Sequence, residues 1–107
     1  MRIENADILQ ANLHPIKTAN FLTKAVNNSL RQKIISILLA NGQMPVHELC
    51  EKLDTEQSVM SQHLAILRKA KLVTPERKGK SILYSVNELY LQEVIDCLLI
   101  ITRDFNL

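Results

Sequence analysis

The sequence predicts a mainly α domain with one small β-hairpin, and three observations support this fold class. The chain has 107 residues, enough for one domain with one modest core. Aromatic residues make up 4% of the chain and Trp is absent, so the core must be aliphatic, which favours packed helices. Two glycines and three prolines are too few for the many turns of an all-β chain. The predicted order of elements is α-α-α-α-β-β-α.

The first two helices are predicted from apolar spacing and from the residues that break it. A helix is expected over about residues 5–26, interrupted or kinked at His14-Pro15 because proline disfavours the α conformation before it. Asn27-Asn28-Ser29 then offers a break and an N-cap to a helix over about residues 30–40. Asn41-Gly42 ends that helix. Its predicted inward residues are Leu30, Ile34, Ile37 and Leu38.

A helix-turn-helix is predicted over about residues 46–70. Pro45 suits the first turn of the earlier helix, since a missing N–H costs nothing there. Asp54 and Gln57 stand at capping-box spacing and predict the start of the later helix, which runs to about Lys69. The inward stripes are Val46, Leu49 and Leu53 on the first helix and Met60, Leu64 and Leu67 on the second.

A basic hairpin and a final helix complete the predicted domain. The hairpin, or wing, spans about residues 72–86, with strands Leu72–Arg77 and Ser81–Val86 joined by a turn at Lys78-Gly79-Lys80. Asn87 caps a last helix over about residues 88–103, which is apolar on more than one side and must therefore be buried on more than one side. In so small a domain we expect a second copy of the chain to bury the side that its own core does not. The expected dimerisation residues are Leu22, Leu91, Val94, Ile95, Leu98 and Ile101.

Charge and outward polar residues predict a surface for nucleic acid. Residues 57–86 hold six Lys or Arg against Glu76 alone, a local charge of +5, whereas the rest of the chain sums to −3. On the later helix, Gln57, Ser58, Ser61 and Gln62 face outward, and Gln and Ser can bind base edges. The candidates for phosphate or minor-groove contact are Arg68, Lys69, Arg77, Lys78 and Lys80.

His63 is a further DNA-binding candidate with a competing structural interpretation. Its neighbours Ser61 and Gln62 point outward and Leu64 points inward, so His63 lies at the edge of the buried side of the helix. That position favours a partly buried histidine that holds the helix-turn-helix together over a base contact.

Three segments resemble the ArsR/SmtB family of dimeric winged helix-turn-helix repressors: Arg31–Leu39, Glu48–Cys50 and Ser61–Val73. The resemblance covers roughly residues 16–103 and keeps the family's order of elements. It implies a bacterial or archaeal regulator that binds a palindromic operator in double-stranded DNA as a homodimer. The first and last helices are expected to form the dimer interface. Two departures are Lys71, where the family usually has Gly, and Glu56, where it usually has a Ser cap.

The resemblance also sets an expectation about sensing. The family's thiolate metal site has a second Cys where this chain has Lys52, two residues after Cys50, and its dithiol switch aligns with Ile37 and Arg103. A soft metal needs two or three thiolates to bind tightly, so we expect no metal and no cofactor. Cys50 and Cys97 fit better as small core residues. The effector stays open, and a non-metal or thiol-reactive signal is one alternative.

The remaining function classes are excluded or kept as alternatives on composition. The sequence shows no nucleophile–base pair and no phosphate loop, and its three His are scattered, so an enzyme is not expected. Neither a signal peptide nor a membrane span is predicted, and the expected location is the cytoplasm, at the prokaryotic nucleoid. The alternative function is a winged-helix protein-interaction module. Its weakness is that interaction hot spots favour Trp, Tyr and Arg in apolar surroundings.

Overall fold

The computed structural model describes the backbone of residues 21–104, and the side chains of that range except residues 97, 98 and 101–104. The predicted helix before residue 21 and its kink at His14-Pro15 lie outside the described residues. The predicted order of helices is confirmed in the described range, with one additional strand. The elements are α1 (residues 21–26), α2 (Ser29–Asn41), β1 (Met44–Pro45), α3 (Val46–Leu53), α4 (Gln57–Lys69), β2 (Val73–Lys78), β3 (Ser81–Val86) and α5 (Glu88–Asp104).

The ends of α2 form where the sequence predicts them. The side chain of Asn28 accepts a hydrogen bond from the backbone N–H of Arg31 at 3.0 Å, which satisfies one of the free donors of the first turn. Gly42 ends the helix with φ of 83°, and its N–H donates to the carbonyl of Leu38. A residue with a Cβ would be strained at that φ, so this glycine is required by the turn.

The predicted capping box before α4 is wrong. Asp54 is the C-cap of α3, in the left-handed conformation with φ of 48°, and Glu56 is the N-cap of α4 without a side-chain hydrogen bond. A short polar side chain tolerates this conformation better than most residues do. Asp54 therefore serves the end of one helix and not the start of the next, which leaves the three-residue turn 54–56 between them.

The C-terminus of α4 is closed by a Schellman motif. Lys71, with φ of 63°, donates its N–H to the carbonyl of Arg68, and Leu72 donates to that of Leu67 at 3.0 Å. Leu67 and Leu72 are both buried in the same core, as expected for the apolar pair that often accompanies this motif. The prediction that Lys71 occupies a position suited to glycine is confirmed.

The sheet has three antiparallel strands in the order β1-β3-β2, and β1 was not predicted. Met44 pairs with Tyr84 and Pro45 with Leu83. Two residues are too short to show strand periodicity, and Pro45 is tolerated because β1 is an edge strand. β1 joins the start of α3 to the wing, so the sheet and the helix-turn-helix share one core.

The hairpin turn is shorter than predicted. Lys78 is the last residue of β2 and pairs with Ser81, so the turn contains Gly79 and Lys80 alone. Gly79 has φ of 62°, and a positive φ at the first of two central residues is typical of a type II′ turn. Strand β2 begins at Val73, one residue later than predicted, because Leu72 belongs to the Schellman motif.

The core is aliphatic, as the low aromatic content predicts. The inward stripe of α4 is confirmed, since Met60, Leu64 and Leu67 are at most 1% exposed. Of the inward residues predicted on α2, Ile34 and Leu38 are buried, whereas Leu30 and Ile37 pack against the core from partly exposed positions. The buried residues are Leu22, Ala25, Ile34, Leu38, Met44, Leu49, Met60, Leu64, Leu67, Ala70, Leu72 and Val73.

Helix α5 contacts this core through its first half. The Asn87 cap is confirmed, because its side chain accepts from the backbone N–H of Tyr90 at 3.4 Å. Tyr90, Leu91 and Val94 pack against the core. On other sides of the helix, described apolar residues stay in solvent, with Ile95 41% and Leu99 59% exposed.

Candidate DNA-binding surface

The exposed side of α4 is mainly polar, and its partly exposed large apolar residues are Val59 and Ile66. Gln57, Ser58, Ser61 and Gln62 are all exposed, opposite the buried stripe that fixes the helix to the core. Because that stripe and the Schellman motif hold both the rotation and the end of α4, these four side chains keep a defined direction. Amide and hydroxyl groups held in this way can donate to and accept from base edges in a major groove.

A shallow groove runs between α4 and β3. Its volume is about 340 Å³, and it is lined by Ser61, Ala65, Arg68, Lys69 and Tyr84. The structure thus brings two predicted cations, Arg68 and Lys69, beside a predicted polar residue of the outward face. Two hydroxyls and two cations suit the phosphate backbone. Tyr84 was not predicted here, because strand alternation does not show which neighbouring helix a side chain meets.

Lys69 has a second neighbour. Its Nζ lies 5.9 Å from the centre of the Phe21 ring on α1, within the range of a cation–π interaction. Phe21 is 38% exposed, so the contact lies near the surface. Lys69 therefore connects the last turn of α4 to α1 as well as bordering the groove.

The three predicted cations of the wing do not share one face. Arg77, Lys78 and Lys80 are all exposed, but consecutive strand residues point to opposite faces, which separates Arg77 from Lys78. Lys78 Nζ donates to Gln43 Oε1 at 2.9 Å, and Gln43 Nε2 donates to Glu76 Oε2 at 2.5 Å. Gln43 thus forms hydrogen bonds with both Lys78 and Glu76, the acidic residue of the wing. No sequence pattern indicated this role.

His63 is half-buried and contacts α2, in agreement with its structural interpretation. Its Nδ1 lies 3.1 Å from Nη1 of Arg31. Burial, and next to it the positive charge of Arg31, lower the pKa of His63 below its ordinary value. This role of Arg31 was not predicted, because a lone arginine in a first helical turn is usually solvated.

The described side chains give no metal cluster. Among them, no three of His, Cys, Asp and Glu lie close enough to hold a metal ion. Cys50 is a half-buried free thiol, and the side chain of Cys97 lies outside the described residues. The expectation of a regulator without metal stays a prediction. In the described range, no helix is long and apolar enough to cross a membrane.

Comparison with known proteins identifies the family. Residues 28–74 match the model for the bacterial regulatory proteins of the arsR family. The transcriptional repressor SdpR of Bacillus subtilis is 35% identical over 80 residues, which are 75% of this chain and 88% of SdpR. The chain belongs to the ArsR/SmtB family. The prediction made from Arg31–Leu39, Glu48–Cys50 and Ser61–Val73 is therefore confirmed.

Solved structures of similar proteins agree with this ArsR/SmtB assignment. HlyU from Vibrio cholerae N16961 is 30% identical, with a TM-score of 0.66 over 87% of this chain and 97% of HlyU. Mb0332 from Mycobacterium bovis, a homodimeric winged helix-turn-helix DNA-binding domain, has a TM-score of 0.72 over 88% of this chain and 86% of its own. Its 18% identity shows the fold alone. The ArsR/SmtB relatives are transcriptional regulators and not enzymes, and this chain is a DNA-binding transcriptional regulator with a winged helix.

Proposed function

We propose that the chain is a dimeric transcriptional repressor that binds a palindromic operator in double-stranded DNA, without a metal cofactor. The observation that carries the proposal is the groove between α4 and β3. It places the exposed polar face of α4 next to Arg68 and Lys69, with the hairpin of Arg77, Lys78 and Lys80 in the same sheet. In this proposal α4 enters the major groove, and the wing contacts the neighbouring backbone or minor groove.

The contacts divide into those that specify sequence and those that supply affinity. Gln57, Ser58, Ser61 and Gln62 contact base edges, whereas the cations of α4 and of the wing contact phosphates. His63 supports α4 from its side, since its Nδ1 is occupied by Arg31. A bidentate glutamine–adenine contact contributes about 1–3 kcal/mol of discrimination between bases.

The proposed dimer is supported by the exposed apolar surface of α5. Ile95 and Leu99, spaced four residues apart, form a stripe beside the partly buried Leu91. The homodimeric Mb0332 shares the fold. Leu22 is buried in the chain's own core, and the side chains of Leu98 and Ile101 lie outside the described residues. Their contribution to the dimer stays a prediction.

The repressor role follows from binding at a promoter. A dimer on a palindrome occupies two half-sites about one helical turn apart, and such a site excludes polymerase when it overlaps the promoter. The relative SdpR, which is named a transcriptional repressor, matches this chain over 88% of its own length. The expected location, the cytoplasm at the nucleoid, follows from this function.

The test compares two pairs of substitutions on an operator obtained by selection from random DNA. Ser61→Ala with Gln62→Ala should reduce the preference for the operator over scrambled DNA by about 1–3 kcal/mol. Lys78→Ala with Lys80→Ala should weaken both DNAs alike and lower the slope of log K against log salt by about 2. Fluorescence anisotropy at several salt concentrations measures both quantities.

The control removes the same charge elsewhere. Lys33→Ala with Lys52→Ala takes two exposed lysines from α2 and α3, and should leave operator preference unchanged. If neither test pair differs from this control, the assignment of the DNA surface is wrong. Self-association without binding to any double-stranded DNA would support the protein-interaction module.

A further inference from the structure

Arg31 joins three helices through one guanidinium group. Its Nε donates to the carbonyl of Ala25 at 2.5 Å and its Nη2 to that of Lys24 at 3.2 Å, both on α1. Its Nη1 lies 3.1 Å from Nδ1 of His63 on α4. Arg31 itself is in the first turn of α2. The end of α1 and the middle of α4 are thus held by the same planar group.

The α1 side of this contact is a helix cap. The last carbonyls of a helix have no partner within it, and a cation there also interacts favourably with the helix dipole. Arg31 bonds two of these carbonyls, and Gln32 Nε2 donates to a third, that of Val26, at 2.8 Å. Because α2 supplies both side chains, the first turn of α2 closes the C-terminus of α1.

The α4 side of the contact defines the state of His63. A guanidinium has donors and no acceptor, so Nδ1 of His63 must accept the hydrogen bond. His63 is neutral while it accepts this bond, and its ring proton is then on Nε2. The burial and the charge of Arg31 that disfavour the protonated ring act in the same direction.

An independent contact joins the same two helices. The ammonium of Lys69 lies over the Phe21 ring, six residues after His63 on α4 and four residues before Ala25 on α1. Two separate points on α4 thus contact two separate points on α1. Together with the buried stripe of α4, these two contacts restrain the tilt of α4 relative to α1.

We infer that Arg31 is a positioning residue, which orients the outward face of α4 by tying it to the end of α1. The inference rests on the proposed role of α4 in reading DNA. Gln62 lies next to His63 in the chain, so a change in the tilt of α4 moves its amide relative to a base edge. Arg31 thereby affects operator affinity although its guanidinium is engaged by protein groups on α1 and α4.

The test separates the acceptor at Nδ1 from the rest of the His63 ring. His63→Leu removes the acceptor, whereas His63→Asn places a carbonyl oxygen near the position of Nδ1. Operator affinity should fall on the order of tenfold in His63→Leu and Arg31→Gln, and should stay within about twofold of wild type in His63→Asn. The double variant Arg31→Gln/His63→Leu should lose less than the product of the two single losses.

Three readouts keep positioning distinct from stability and from direct DNA contact. Urea unfolding confirms that each variant is folded at the assay temperature, so the affinity describes native protein. The salt slope should equal that of wild type in Arg31→Gln, because no phosphate contact is lost. Lys33→Gln, which removes an exposed charge from the same helix, should bind the operator within about twofold of wild type.

Several results would overturn the inference. Equal losses in His63→Asn and His63→Leu would show a contact from Nε2, and a salt slope lowered by about 1 in Arg31→Gln would show a phosphate contact. Operator affinities equal to that of Lys33→Gln would show a structural role alone. If wild type binds the operator in these cases, the proposed function stands; if wild type binds no DNA, that function fails as well. Should Arg31→Gln fail to fold, the His63 pair decides the question.

Discussion

Helices α4 and α5 distribute their apolar side chains in opposite ways. Met60, Leu64 and Leu67 of α4 are at most 1% exposed, and its outer face is mainly polar, with no large apolar side chain more than 39% exposed. In α5, Ile95 is 41% and Leu99 59% exposed. Exposed apolar residues clustered on one element are typical of interaction surfaces. The difference matches the two tasks proposed above: α4 presents polar groups to DNA, whereas α5 presents apolar surface that a second copy would bury in the proposed dimer.

The largest expected effect lies in the buried stripe of α4. Leu64→Ala should lower the free energy of unfolding by about 2–5 kcal/mol, because the cavity adds to the lost transfer free energy. Leu89→Ala makes the same change at an exposed site of α5 and should alter it by less than about 0.5 kcal/mol. Urea denaturation followed by circular dichroism measures both. Similar losses at the two sites would contradict the contrast between these helices.

The next effect concerns self-association through α5. Ile95→Asp with Leu99→Asp should weaken dimerisation at least about 100-fold, or ~2.7 kcal/mol, because the charges would have to be buried. Sedimentation equilibrium gives the dissociation constant, and the far-ultraviolet spectrum should keep its helical signal. Leu89→Asp, which adds one such charge outside the predicted interface, should leave the dimer intact. A dimer retained in the Ile95 and Leu99 variant would move the interface away from this stripe.

The smallest effect lies at the C-terminus of α4. Lys71 has φ of 63° in its Schellman motif, whereas Gly42 has φ of 83° after α2. Lys71→Gly should raise the free energy of unfolding by about 0.5–1 kcal/mol, because glycine has no Cβ to strain at this φ. Lys71→Ala removes the same charge and keeps the strain, so it should show no such gain. Thermal and urea unfolding compare the two variants, and an equal response would assign the effect to charge.

Local pattern was sufficient for most of the fold and for part of the site. The spacing of Leu64 and Leu67 predicts which side of α4 is buried, and the side of α4 on which Gln62 lies follows from the same period. Asn28 and Gly42 mark the ends of α2 because capping depends on neighbouring residues. Asp54 is different, because its side chain suits both the N-cap of a helix and a left-handed residue at a helix end. The conformation of the turn between α3 and α4 decides that it ends α3.

What the sequence by itself determined is the set of helices, the hairpin, their inward faces and the family, because each depends on short-range periodicity or on contiguous motifs. The tertiary structure decided which distant groups meet. Strand β1 forms because Met44 pairs with Tyr84. Lys78 donates a hydrogen bond to Gln43, which lies 35 positions earlier in the chain. Arg31 contacts His63, which lies 32 positions later. The physical reason is that such contacts depend on how helices pack in three dimensions, and no local period records that geometry.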